Sequence, residues 1–127
     1  MDVLELLSGI LHPFKWVLWA LATQLFHNRQ NFYHWSLWVP VIALWFLAVT
    51  LLLAEFIEAD WTITLVLINL AIVMIAHLWG AYLHFVGVSK RVGGQNIHNH
   101  MVGPPVILPL IVFTVSTLDF LRLLQGD

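Results

Sequence analysis

The chain is predicted to be an all-α integral membrane protein: three transmembrane helices preceded by an N-terminal amphipathic or re-entrant helix. Three observations predict it. Hydrophobic residues make up 61% of the 127-residue chain against 9% charged, with mean hydropathy +0.89, far from the balance of soluble domains. Three stretches are each apolar over enough residues to cross a hydrocarbon core of about 30 Å. One of them, Trp61 to Ser89, carries no formal charge at all.

The three spans are read as Trp35–Ile57, Trp61–Val88 and Val102–Leu124. Little more than Glu58-Ala59-Asp60 joins the first two, which forces a tight antiparallel hairpin. Ser89 to Met101 joins the second and third, long and polar, with Gly93-Gly94 as a flexible point. Trp35, Trp38 and Trp61 fall near span ends, where indoles favour the headgroup layer. The third span opens Gly103-Pro104-Pro105 and meets Pro109 one turn on. Pro109 removes a backbone hydrogen bond, so the helix is expected to bend there and to face protein, not lipid.

Residues 1–30 carry a polar stripe of Asp2, Glu5, Ser8, Gly9, His12 and Lys15, with leucines on the other faces and Pro13 between. That pattern favours a helix lying in the interface and broken near Pro13. A fourth span is the rival reading, and it would carry His12 and Lys15 into the membrane. The whole chain is expected to form one membrane domain. No basic leader precedes an apolar stretch, so no cleaved signal peptide is expected. In the three-span frame Lys15, Arg29, Lys90 and Arg91 share one side, which the positive-inside rule makes cytoplasmic, with the C-terminus outside.

His77 and His84 stand seven residues apart in the second span, close to two helical turns, so both point the same way. Gly80 and Ala81 between them let a flat ligand or another helix approach. A neutral imidazole is a good axial ligand for haem iron or for the magnesium of a chlorophyll. With Trp79, Tyr82 and Phe85 as an aromatic surround, His77, His84 and Gly80 form a candidate tetrapyrrole pocket. The plainer and favoured account is that both histidines hydrogen-bond to backbone or to a neighbouring helix. His27 and His34 repeat the seven-residue spacing, and His98 and His100 flank Asn99. His34, His98 and His100 are the candidate metal ligands, with copper or zinc as the ions they suit; hydrated interfacial histidines explain them as well. The spacings do not reproduce the histidine boxes of membrane desaturases and hydroxylases.

Asn69 is read as inter-helix glue, and Thr114, Ser116 and Thr117 as hydroxyls bonding their own helix backbone. Asp119 is expected to pair with Arg122 three residues on, with a proton-relay carboxylate as the sharper alternative. There is no cysteine, which excludes disulfides and thiolate metal sites. Five Lys plus Arg make no nucleic-acid footprint. No nucleophile triad order, phosphate loop or His-Glu-x-x-His motif occurs. The expected function is therefore a small integral subunit of a larger energy-converting or oxidoreductase complex, packed against other membrane subunits and lipid. Its role would be structural, with contact to a lipid, pigment or haem. One alternative is a haem- and quinone-binding anchor in electron transfer, similar in size and span number to the membrane anchors of succinate dehydrogenase. Another is a subunit of a metal-dependent membrane enzyme using the cytoplasmic histidines.

Overall fold

The computed structural model describes residues 13–30, 35–57, 60–100 and 102–125. Four helices dominate it: α1 (Pro13–Gln30), α2 (Val39–Phe56), α3 (Asp60–Val86) and α4 (Pro104–Leu124). A short 3₁₀ turn, Trp35–Trp38, leads into α2. The stripe residues Asp2, Glu5, Ser8, Gly9 and His12 lie outside the described residues.

The helix limits follow from proline and glycine chemistry. Pro13 opens α1, and Pro40 and Pro104 sit in the first turns of α2 and α4, where a missing N–H costs nothing. Gly103, at φ +93°, lets its carbonyl turn back to accept from Val106 N at 3.0 Å and Ile107 N at 2.8 Å. At the other end of α2, Ile57 N donates to Leu53 O.

The segment between α3 and α4 departs from the expected polar loop. It folds into an antiparallel β-hairpin, β1 (Val88–Val92) paired with β2 (Gln95–Asn99), in the register Val88↔Asn99 to Val92↔Gln95. Gly93 and Gly94 both have positive φ, at +57° and +80°. Two-residue hairpin turns that match strand twist need that conformation, so the Gly-Gly pair is a defined turn and not a loose joint.

The larger difference concerns α1. An interfacial helix would lie across one end of the bundle, with its polar stripe in water. Instead α1 packs lengthwise, and Trp16 and Ala20 are fully buried in a core shared with Leu44 and Leu47 of α2, Leu70 and Val73 of α3 and Val112 of α4. Three polar ties run along it. Lys15 Nζ meets Asp119 near the C-terminus of α4. Gln24 Oε1 accepts from Trp45 Nε1 of α2 at 2.9 Å. Gln30 Oε1 accepts from Lys90 Nζ in β1 at 3.2 Å. An 18-residue helix spans about 27 Å, so α1 reaches from one end of the bundle to the other. The four helices run up, down, up and down.

Consecutive helices are joined by further contacts. Asn69 Nδ2 of α3 donates to Thr50 Oγ1 of α2 at 2.6 Å, the inter-helix role read for it. Thr114, Ser116 and Thr117 bond to backbone carbonyls of their own helix, at Leu110, Phe113 and Phe113. At Gly80 a Cβ would stand 3.3 Å from Pro40 Cγ, so the absence of a side chain there sets how closely α2 and α3 approach.

Among the described residues, two helical stretches, Trp61–Val86 and Pro104–Leu124, are long and apolar enough to cross a membrane. Gly80→Leu should wedge α2 from α3 and destabilise the bundle by about 1–3 kcal/mol. Denaturant unfolding in detergent measures it, and an unchanged midpoint would contradict the contact with Pro40.

Candidate functional site

The interior holds ionisable side chains at both ends of the bundle, with an apolar middle between them. At the end remote from the hairpin, Lys15 of α1 and Asp119 of α4 are both fully buried and form an ion pair through Oδ2. Trp16 Nε1 donates to the same oxygen at 3.1 Å. Lys15 Nζ also lies 5.1 Å from the centre of the Trp16 ring, within cation–π range. Arg122 Nη1 stands 3.7 Å from Oδ1. The expected Asp119–Arg122 pair is thus present but secondary, because the buried Lys15 takes the carboxylate from across the bundle.

The hairpin end gathers histidines. His27 of α1 and His77 and His84 of α3 are all buried, and they line one narrow cavity with Thr23, Gly80, Pro105 and Pro109. The His27 and His84 ring centres are 6.4 Å apart, and Trp38 lies 5.6 Å from His27. His77 Nδ1 donates to Val73 O at 2.8 Å, and His27 Nδ1 donates to Thr23 O at 3.0 Å. A carbonyl can only accept, so in the neutral His77 ring the proton sits on Nδ1 and Nε2 carries the lone pair.

Pro109 sharpens the polarity of this space. It has no N–H to give to the carbonyl of Pro105 four residues earlier, and both prolines are buried against the cavity. His77 Nε2 and Thr23 Oγ1 are buried with no hydrogen-bond partner among the described residues. A buried polar atom left so costs about 1–3 kcal/mol. The expectation that Pro109 faces protein is met within the chain's own bundle.

The candidate tetrapyrrole constellation is divided by the helix. Trp79 follows His77 by two residues, about 200° round the axis, and Trp79, Tyr82 and Phe85 all face outward. His77 and His84 face inward, and Gly80 meets Pro40 and not a ring. The cavity before the histidines measures about 10 Å³, room for roughly one water molecule and none for a porphyrin-sized ring. Of the candidate metal ligands, His34 lies outside the described residues. His98 is exposed in β2 opposite Ser89, and the exposed His100 donates from Nδ1 to Phe85 O at 2.9 Å. Among the described residues no three histidines or acids are arranged to hold a metal ion.

Sequence reasoning missed Thr23 and Lys15 as members of these sites. Thr23 carries no local signal. Lys15 reads as part of an exposed stripe because its partner is 104 residues away. The Pro105–Pro109 pair at i, i+4 was the one visible sign of a freed carbonyl. Comparison with protein-family models, curated proteins and solved structures gives no match, so function must be argued from the site itself.

Lys15→Met leaves Asp119 as a buried carboxylate with weaker company and should cost about 3–5 kcal/mol. Adding Asp119→Leu should return most of that loss. Unfolding of the single and double variants in detergent measures both, and a single variant as stable as wild type would mean the pair does not form.

Proposed function

We propose that the chain is one membrane domain, an embedded subunit of a larger energy-converting or oxidoreductase assembly. One observation carries the membrane reading: the bundle buries its ionisable side chains around an apolar core and leaves large apolar side chains on the outside. Lys15, His27, His77, His84 and Asp119 are buried. Ile42, Phe46, Ile68, Ile75, Leu110 and Leu118 point outward. In water that arrangement would be unfavourable at about 25 cal/mol per Å² of exposed apolar surface. The buried core helix of a soluble protein is apolar too, but here only 33% and 28% of the two long apolar windows are buried.

Four helices of bundle length would cross the membrane in this reading, with α1 taking the place of the interfacial helix. Arg29, Lys90 and Arg91 belong to the hairpin end, which the positive-inside rule makes cytoplasmic. Lys15 and Arg122 belong to the opposite end with Asp119, so Lys15 leaves the cytoplasmic set and the C-terminus stays outside. The subunit role is supported by ionisable residues kept within the bundle, which in membrane proteins commonly serve function. The interior histidines and Pro109 are covered by the chain itself, so partners would meet the apolar and aromatic exterior. Among cofactor readings, the size of the histidine cavity favours a small occupant over haem or pigment.

Membranes from cells expressing the chain at native level provide the test. After an alkaline carbonate wash the chain should stay with the lipid. Mild detergent should then release it with other membrane proteins, at a mass well above its own 14.5 kDa. Release by carbonate would end the membrane reading, and a lone monomer in detergent would end the subunit reading. A Soret band in the same fraction that falls in His77→Ala would favour the haem-anchor alternative.

A further inference from the structure

We propose that the hairpin end of the bundle is a docking surface for anionic phospholipid, with Arg29, Lys90 and Arg91 meeting the headgroup phosphates. The inference rests on the membrane reading above and adds the lipid chemistry that this end selects.

Charge is sorted sharply along the bundle. No Asp or Glu occurs in residues 16–54 or 61–118, which contain every described residue of the hairpin end. Their charged residues are Arg29, Lys90 and Arg91, all basic. The acids of the described helices belong to the other end: Glu55 in the last turn of α2, Asp60 at the start of α3 and Asp119 late in α4. Asp119 is paired there with Lys15 and Arg122. Helix dipoles do not offset the three cations. Two helices end beside the hairpin and two begin there, so the partial charges of their termini cancel.

The fold brings the cations together. Lys90 Nζ donates to Gln30 Oε1 at 3.2 Å, which holds β1 against the last turn of α1. The exposed Arg29 precedes Gln30, and Arg91 follows Lys90 in the strand. Gln30 accepts one hydrogen bond from Lys90 and brings no charge. Across the hairpin Lys90 pairs in register with Ile97 and Arg91 with Asn96, so β2 supplies no acid either.

An acidic protein segment or a lipid headgroup would each answer three cations. The surface beside them favours lipid. Leu25 of α1, Tyr82, Phe85 and Val86 of α3, and Val102 before α4 are exposed. All lie within about two helical turns of the hairpin. A phospholipid carries its phosphate directly above its acyl chains, so one molecule covers both the basic end and the apolar side. Basic clusters at the end of a membrane helix attract anionic lipid in this way.

Spin-labelled lipids measure the selection. With the full chain in phosphatidylcholine vesicles, the motionally restricted share of each label gives its relative association constant. Phosphatidylglycerol label should associate several-fold more strongly than phosphatidylcholine label. The preference should fall as salt rises from about 0.01 M to about 1 M, because the Debye length shrinks from about 30 Å to about 3 Å. Arg29→Gln, Lys90→Gln and Arg91→Gln together should abolish it, and Arg122→Gln at the other end should leave it intact. Equal association of both labels with the wild-type chain would overturn the proposal, as would a preference that survives the triple variant. So would indifference to lipid charge combined with binding of polyglutamate, which would make this end a surface for acidic protein. A chain stripped from the vesicles by carbonate would end the membrane reading as well. Equal association in a chain that carbonate leaves in place would end this inference alone.

Discussion

A lysine and an aspartate can share a dry interior only if each neutralises the other, and the architecture depends on that constraint. Lys15 lies in the first turn of α1 and Asp119 in the penultimate turn of α4. Their pairing requires α1 to reach the far end of the bundle. Gln30 and His27 must then lie at the hairpin end, where Lys90 and His84 meet them. Alone, either charge would be too costly to bury, and α1 would have reason to leave the core. Trp16 adds an indole donor to the same carboxylate oxygen and packs its ring into the core, so packing and charge pairing hold the same turn.

The polar interior is divided by a middle layer of Leu44, Leu47, Leu70, Val73 and Val112. This layer gives the helices their dispersion contacts and stands between the ion pair and the histidine cavity. The two ends therefore have different physical characters. One is a buried ion pair that ties the start of α1 to the end of α4. The other is a set of buried imidazoles, His27, His77 and His84, gathered around a small space lined mostly by apolar side chains.

Much of the helical framework was legible in the sequence, because long apolar runs and their proline and glycine boundaries are local signals. α2, α3 and α4 begin and end within a few residues of the spans read from composition. Asn69 and the α4 hydroxyls were legible for the same reason, since helix geometry limits what they can reach. The hairpin was not, because Ser89 to Met101 lacks the alternation that marks a strand, and Gly93-Gly94 fits a loose joint equally well. The place of α1 was not legible either. A polar stripe has the same spacing whether it faces water or a buried carboxylate, and only the partner from α4 decides between them. The histidines were singled out by their seven-residue spacing, which correctly put His77 and His84 on one face. Which way that face turns, and that His27 and Thr23 join it, depended on inter-helix packing that no local pattern encodes.

The placement of α1 inside the bundle is the claim on which the rest turns, and a pair of spin-label distances measures it directly. The chain has no cysteine, so single cysteines can carry the labels without background. One label stays at Leu124, exposed at the end of α4, and the other is placed at Phe14 or at Asn28, both exposed on α1. The two α1 sites differ by about 21 Å along the helix. The account predicts that Phe14 is the nearer to Leu124 and Asn28 the farther by most of that length. Equal distances, or Asn28 the nearer, would put α1 across the hairpin end as an interfacial helix and contradict the Lys15–Asp119 pairing.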